Sequence, residues 1–296
     1  GYKVEFHPVL ASIRDYARIE SIYKKYKPQV VYHSAAYKHV SIMENNIYEA
    51  ISNNVLGTYN TCELSIKYDV ENFIFVSSDK AVRPTNIMGA SKRLAERVVQ
   101  AFSDSIKKGN KCIFSIVRFG NVIGSSGSVI PIFKNQIKNG GPVTVSHPEI
   151  SRYFMTIKEA ALLILQSYTI SKGGEVFVLN MGEPIKIFDL AKKMIELSGY
   201  SLASENISSD KKKIEIVFKG LEKGEKMHEE LLINNISRKT LNENIIEAEE
   251  KHEDSKLIMS KISIIEKFLS EKDDAKLLKI LEDNVEGFSE IQINRA

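Results

Sequence analysis

The chain has 296 residues, 43% of them hydrophobic, with 41 basic and 38 acidic side chains and a formal net charge of +3. That is apolar material enough for one large or two modest cores, and so even a charge balance argues against nucleic acid as a partner. Cys62 and Cys112 lie far apart and outside any metal-ligand spacing, which excludes a disulfide framework and leaves no metal site to expect.

The opening Gly1-Tyr2-Lys3-Val4-Glu5 has no Met and lacks the apolar core of a signal peptide, and no apolar run approaches the ~20 residues that cross a bilayer. The chain reads as cytoplasmic, either a piece of a longer protein or the soluble part of a larger inner-membrane one. From there, short runs of β-branched and aromatic residues alternate with longer stretches of helical periodicity, the pattern of βαβ units around a parallel sheet. Helices are expected at 15–25, 41–68 and 88–107, and strands at 29–33, 73–78 and 113–119. The strands are nearly continuous in apolar residues, so they read as central strands covered on both faces. Beyond Gly120 the texture changes. Gly140-Gly141-Pro142 and Lys172-Gly173-Gly174 punctuate short strands at 143–145, 175–179 and 214–218 and helices at 157–168 and 187–197. The polar stretch 201–213 reads as a solvated loop.

The expected fold is α/β, a Rossmann-like doubly wound parallel sheet whose first βαβ unit is missing, with a smaller α/β substrate lobe. Its parts are a partial cofactor-binding domain over 1–140, a substrate lobe over 141–235 interleaved with a sheet strand near 175–180, and a helical tail over 236–296.

The strand Phe73-Ile74-Phe75-Val76 runs into Ser77-Ser78-Asp79-Lys80, and Met88-Gly89-Ala90-Ser91-Lys92 follows. Polar groups at the carboxyl end of a buried parallel strand sit where doubly wound sheets bind ligands. Taken alone, Ser-Ser-Asp-Lys reads as a capped strand end with an exposed acid and base. Met88 and Lys92, four apart, share a helix face, and Ala90 and Ser91 let that helix approach the sheet.

The whole segment 77–93 resembles the active-site stretch of bacterial polysaccharide-biosynthesis nucleotide-sugar 4,6-dehydratases, the UDP-N-acetylglucosamine branch of the extended short-chain dehydrogenase/reductases. The resemblance runs from about Val9 to Leu232. It implies NAD, rather than NADP, as cofactor, a UDP-sugar substrate, and a homo-oligomer. Met88 stands where most of that superfamily has a catalytic Tyr, as in large members of this branch. The implied catalytic set is Ser78, Asp79, Lys80, Met88 and Lys92, with Lys80 as base at position 5 of the hexose and Asp79 as acid at position 6.

His33-Ser34-Ala35-Ala36-Tyr37-Lys38-His39-Val40 resembles the family's cofactor loop, which implies that Ala35, Ala36 and Lys38 approach the dinucleotide together with Asn54, Ser77 and Lys92. The stretch 118–129 resembles the diphosphate loop, with Asn121, Ser128 and Val129 implied at the substrate, and 147–155 a second substrate segment carrying Arg152. Outside that resemblance, Arg118 and Arg152 read as surface charges. Glu225 belongs to a further implied substrate segment, Leu221-Glu222-Lys223-Gly224-Glu225-Lys226, in which Glu222 stands where the family has Arg. Ser12 stands where it usually has an acid. The sequence contains no Gly-x-Gly-x-x-Gly. Gly120, Gly124 and Gly127 have the wrong spacing and follow the catalytic segment, so the pyrophosphate motif is absent from this stretch of chain.

The expected activity is dehydration of a UDP-N-acetylhexosamine, UDP-N-acetylglucosamine in particular, to the 4-keto-6-deoxy sugar through transient reduction of NAD. Met88 points to the branch that retains configuration at position 5. The rivals are an epimerase on the same scaffold and a non-catalytic nucleotide-sugar-binding module.

Overall fold

The computed structural model describes residues 4–105, 111–203, 212–250 and 254–288. The first half runs through α1 (Tyr16–Tyr26), β1 (Val30–His33), α2 (Val40–Met43), α3 (Ile47–Ala50), a π-helical turn at Ile51–Leu56, α4 (Gly57–Lys67) and β2 (Asn72–Val76). A 3-10 turn at Asp79–Ala81 then leads into α5 (Ile87–Ser105) and β3 (Ile113–Arg118). Beyond it lie β4 (Asn121–Val122), α6 (Val129–Lys138), β5 (Val143–Val145), β6 (Ser151–Arg152), β7 (Phe154–Met155), α7 (Ile157–Ile170) and β8 (Val176–Leu179). The chain continues through β9 (Ile185–Lys186), α8 (Ile187–Leu197), β10 (Ser201–Leu202), β11 (Lys213–Ile214), β12 (Ile216–Phe218), β13 (Ser237–Lys239), β14 (Ile245–Ala248), α9 (Ser255–Glu271) and α10 (Asp274–Asn284).

The main sheet has the order β1-β2-β3-β8-β14-β13. Its first four strands are parallel, and β14 and β13 add to it antiparallel. The apolar runs read from the sequence are buried here: Phe73, Phe75, Phe114 and Phe177 are all essentially inaccessible. Burying each phenyl contributes roughly 1.5–3 kcal/mol, and Phe114 links Phe73 at 5.2 Å to Phe102 at 5.8 Å between ring centroids. Every side chain of α5 from Ile87 to Phe102 is buried, because the sheet covers one side and α4, α9 and α10 cover the others.

A second cluster packs Phe133 and Ile137 of α6 against Val143, Val145, Ile187, Ala191 and Ile195. The helix α6 therefore packs with the lobe expected to begin at residue 141, although it precedes that boundary.

Four expectations are corrected. The helix expected at 41–68 is three helices and a π turn; Asn46 breaks it by turning its side-chain amide onto the Ile42 carbonyl at 2.8 Å. The strand β1 is the end strand of the sheet and half exposed, with Tyr32 open to solvent, since Val30-Val31-Tyr32 carries no signal for position within a sheet. The tail from 236 begins with two sheet strands before its helices, and those helices are anchored on α5. The expected loop 201–213 lies mostly outside the described residues, but its ends pair as β10 and β11.

Candidate active site

The carboxyl ends of β1, β2 and β3 open into a cleft of about 630 Å³. After β2 the backbone stays tied to the sheet: Ser77 donates its amide to the Val117 carbonyl at 2.7 Å, and Asp79 donates to Phe119 at 3.0 Å. The next residues close a 3-10 turn, capped by the Ser78 hydroxyl, which accepts the Lys80 amide at 3.2 Å. Gly89 lets α5 begin directly behind this turn, since a Cβ there would lie 2.2 Å from the Lys80 carbonyl oxygen. That requirement, more than Ala90 or Ser91, explains the small residues after Met88.

Asp79 is fully buried. Its Oδ1 accepts from the Ser78 hydroxyl at 2.9 Å and from Lys80 Nζ at 3.0 Å, while Oδ2 has no hydrogen-bond partner among the described residues. Lys80 Nζ reaches Asn121 Oδ1 at 3.3 Å and Glu229 at 3.4 Å. Burial works to lower its pKa, but the negative charges of Asp79 and Glu229 outweigh it and raise the pKa. Lys80 therefore rests as an ammonium facing the cleft, with Asp79 behind it.

On α5, Lys92 donates to the Val76 carbonyl at 2.7 Å, and burial lowers its pKa to about 7. Met88, one turn earlier, lines the same cleft and is almost fully buried. Ser77 also lines it, but its hydroxyl is committed to Glu96 at 2.6 Å. Glu96 is inaccessible and chelated by Arg118 through Nε and Nη2, both at 2.7 Å. Burial disfavours its charge, yet Arg118 and Arg93 hold its pKa down to about 2. Glu250, just past β14, binds Arg118 and Arg93 from the other side.

The loop after β1 brings Ala36 and Lys38 to the cleft, whereas Ala35 is exposed and outside it. Asn54 is also outside the cleft lining and acts behind the loop. Its side chain accepts the Tyr37 amide at 2.8 Å and donates to the Tyr37 carbonyl at 3.1 Å and to Ser91 at 3.0 Å. The π turn aims Asn54 in this way; such turns occur often at functional sites. Thr58 gives its hydroxyl proton to the Asn54 carbonyl at 2.7 Å, so the His33 Nε2 at 3.0 Å must be the donor to Thr58. Burial lowers the pKa of His33 to about 3, which keeps that ring neutral.

Opposite the loop, Asn121 on β4 and Ser128 and Val129 at the start of α6 line the wall, with Arg152 and Glu225 beyond them. Arg152 is buried, not a surface charge. It donates to the Ser151 and Met227 carbonyls at 2.7 and 3.2 Å and to Glu225 at 3.3 Å. Arg118 is likewise fully buried. Glu222 lines the cleft too, but its charge is paired with Lys219, also on the wall. Asp79 is the one residue of the implied catalytic set that the cleft does not expose.

Two residues escape sequence reasoning: Gly89, whose only signal is its place between Met88 and Lys92, and Glu229, which follows the Gly224-Glu225-Lys226 segment closely but carries no pattern of its own. No group of three or more metal-ligating side chains occurs among the described residues. No helix among them is long and apolar enough to cross a membrane.

Residues 1–250 match the family model described as "Polysaccharide biosynthesis protein". The capsular polysaccharide biosynthesis protein CapD of Staphylococcus aureus is 47% identical over 282 residues, 95% of this chain, and the chain spans 44% of that relative's length. The solved structure of Pen from Bacillus thuringiensis is 38% identical, with a TM-score of 0.70 over 80% of this chain and 71% of Pen. DesIV from Streptomyces venezuelae, a dTDP-glucose 4,6-dehydratase solved with NAD, is 18% identical with a TM-score of 0.63 over 75% of this chain and 69% of its own, a likeness of fold alone. The chain belongs to the polysaccharide biosynthesis protein family and is built on the Rossmann-like fold of the short-chain dehydrogenases.

Proposed function

We propose that the chain is the catalytic core of an NAD-dependent nucleotide-sugar 4,6-dehydratase that acts on a UDP-N-acetylhexosamine, UDP-N-acetylglucosamine first among them, for surface polysaccharide synthesis. The observation that carries this reading is the Asp79–Lys80 pair, 3.0 Å apart at the tip of β2, with Lys80 facing a cleft shared with Lys92 and Asn121. Elimination of water next to a ketone needs an acid and a base held together.

The described residues fit the nicotinamide-ribose end of NAD. Lys92 has three N–H donors and gives one to Val76, which leaves two for ribose hydroxyls beside Ala36 and Lys38. When bound, NAD would supply the hydride acceptor for position 4 of the hexose and the hydride donor for position 6. Arg152, Asn121 and the start of α6 at Ser128 and Val129 would take the diphosphate.

Lys80 rests charged, so its action as base requires that it first pass its proton to Asp79 along the 3.0 Å hydrogen bond. Neutral Lys80 then takes the proton from position 5, and Asp79, which does not itself line the cleft, passes its proton to the 6-hydroxyl through the Ser78 hydroxyl 2.9 Å away, so that the 6-oxygen departs as water. Lys80 returns its proton to position 5, and the proton released by the 4-hydroxyl, carried through water, restores the ammonium. Met88 has no proton to exchange, which leaves this traffic to Asp79 and Lys80. Ser78, bonded to Asp79, lines the cleft where it can hold the sugar.

The test is Lys80→Ala in NAD-loaded protein given UDP-N-acetylglucosamine, with products weighed by mass spectrometry. Loss of dehydration supports the assignment, and unchanged turnover sinks it. A product of unaltered mass with position 4 inverted would instead mark an epimerase.

A further inference from the structure

Beside Asp79, a second carboxylate stands at Lys80, and it comes from a different part of the chain. Glu229 is 7% exposed; its Oε1 lies 3.4 Å from Lys80 Nζ and 3.8 Å from Arg152 Nε, and its Oε2 has no hydrogen-bond partner among the described residues. Burying a carboxylate costs several kcal/mol unless cations compensate it, so a Glu in this place must be held by what surrounds it.

The segment that carries Glu229 is fixed at both flanks. Upstream, the Gly224 carbonyl accepts from Thr85 at 2.8 Å and Asn86 at 3.0 Å, and Lys226 donates to the Val82 carbonyl at 2.7 Å. Gly224, at φ +78° with Asn86 2.7 Å from where its Cβ would be, is the only residue type that fits. On the other side, Ser151 donates its amide to Met227 at 3.1 Å and shares a 2.8 Å hydrogen bond with His228. These contacts clamp the segment onto the 79–86 turn and onto β6, which carries Arg152.

We infer that Glu229 is a positioning residue that holds the Lys80 amine at the reacting centre by sharing one carboxylate between Lys80 and Arg152. The inference rests on the reading that Lys80 moves protons during the reaction. The charged groups facing Lys80 are Asp79, Glu229 and Arg152, and Lys226 faces it from the clamped segment. Of these, Asp79 and Glu229 favour its charged form. Removing the Glu229 charge should therefore make Lys80 give up its proton at lower pH.

Competitive acylation of the full chain with acetic anhydride across a pH series, followed at Lys80 and Lys92 by peptide mass spectrometry, tests this without cofactor or sugar. Failure to dehydrate UDP-N-acetylglucosamine would thus leave the result intact. In Glu229→Gln the half-labelling pH of Lys80 should fall by about one unit, the low end of what an opposite charge at this range supplies. Glu229→Asp, which keeps the charge on a shorter stem, should return the curve part of the way. A Lys80 curve in Glu229→Gln that superimposes on the wild type, with Lys92 labelling unchanged, overturns the inference. If Glu229→Gln unfolds, Glu229→Asp decides: a part-way shift supports Glu229, and a wild-type curve refutes it.

Discussion

Lys92 holds its ammonium 3.8 Å above the centre of the Phe75 ring, in a site dry enough to bring its pKa down to about 7. The unfolded chain keeps a proton on Lys92 up to its ordinary 10.5, so between these values the unfolded state binds more protons and stability rises with pH. The contribution is about 1.4 kcal/mol for each pH unit. Lys92→Met removes it, so the variant's advantage over wild type in urea unfolding should be largest at pH 7 and shrink toward pH 10. A constant difference would contradict a desolvated Lys92.

Arg118 neutralises two buried carboxylates, Glu96 and Glu250. Arg118→Met leaves both without their main partner and should cost about 3–5 kcal/mol in denaturant unfolding. The pH dependence has a definite sign. Glu96 has its folded pKa lowered to about 2, so its contribution is complete above its ordinary 4.5 and is lost as pH falls toward 2. The wild type should lose stability across that window more steeply than the variant.

Gly120 stands where a Cβ would sit 3.0 Å from Tyr153 Cβ and 3.1 Å from Asp79 Oδ2. Gly120→Ala should displace the Asp79 carboxylate while altering the melting temperature little. Turnover should fall, but by less than the roughly hundredfold that a misplacement of about 1 Å causes, because a contact of 3.1 Å asks the carboxylate to yield only a fraction of that distance. A large loss of stability with unchanged turnover of the folded fraction would show that Gly120 serves packing only.

Asn54 ties the loop after β1 to α5 through the Tyr37 backbone and Ser91. Asn54→Ala strands two backbone groups of Tyr37, at about 1–3 kcal/mol. Calorimetric titration should show NAD binding weakened more than nucleotide-sugar binding, and an equal loss of both would contradict a role confined to the cofactor loop.

Much of the architecture is visible in the chain's local pattern. The apolar runs at 73–78 and 113–119 become β2 and β3, each within two residues of its expected bounds, and the helix at 187–197 matches α8. The single helix expected over 41–68 fails because helical periodicity does not report the break at Asn46 or the extra residue of a π turn. The strands β13 and β14 stay hidden because three or four residues between charged neighbours carry too short an alternation to register.

The sequence by itself determined the fold class, because apolar runs are local properties, and its resemblance to a known family singled out the segment bearing Ser78, Asp79, Lys80, Met88 and Lys92. Only the tertiary structure decided that Arg118 and Arg152 are buried, and that Lys80 lies between Asp79 beside it and Glu229 from a distant loop. Charge compensation in a dry interior is settled by which side chains meet in space, and for Arg118 and Glu250 that meeting spans 132 residues of chain.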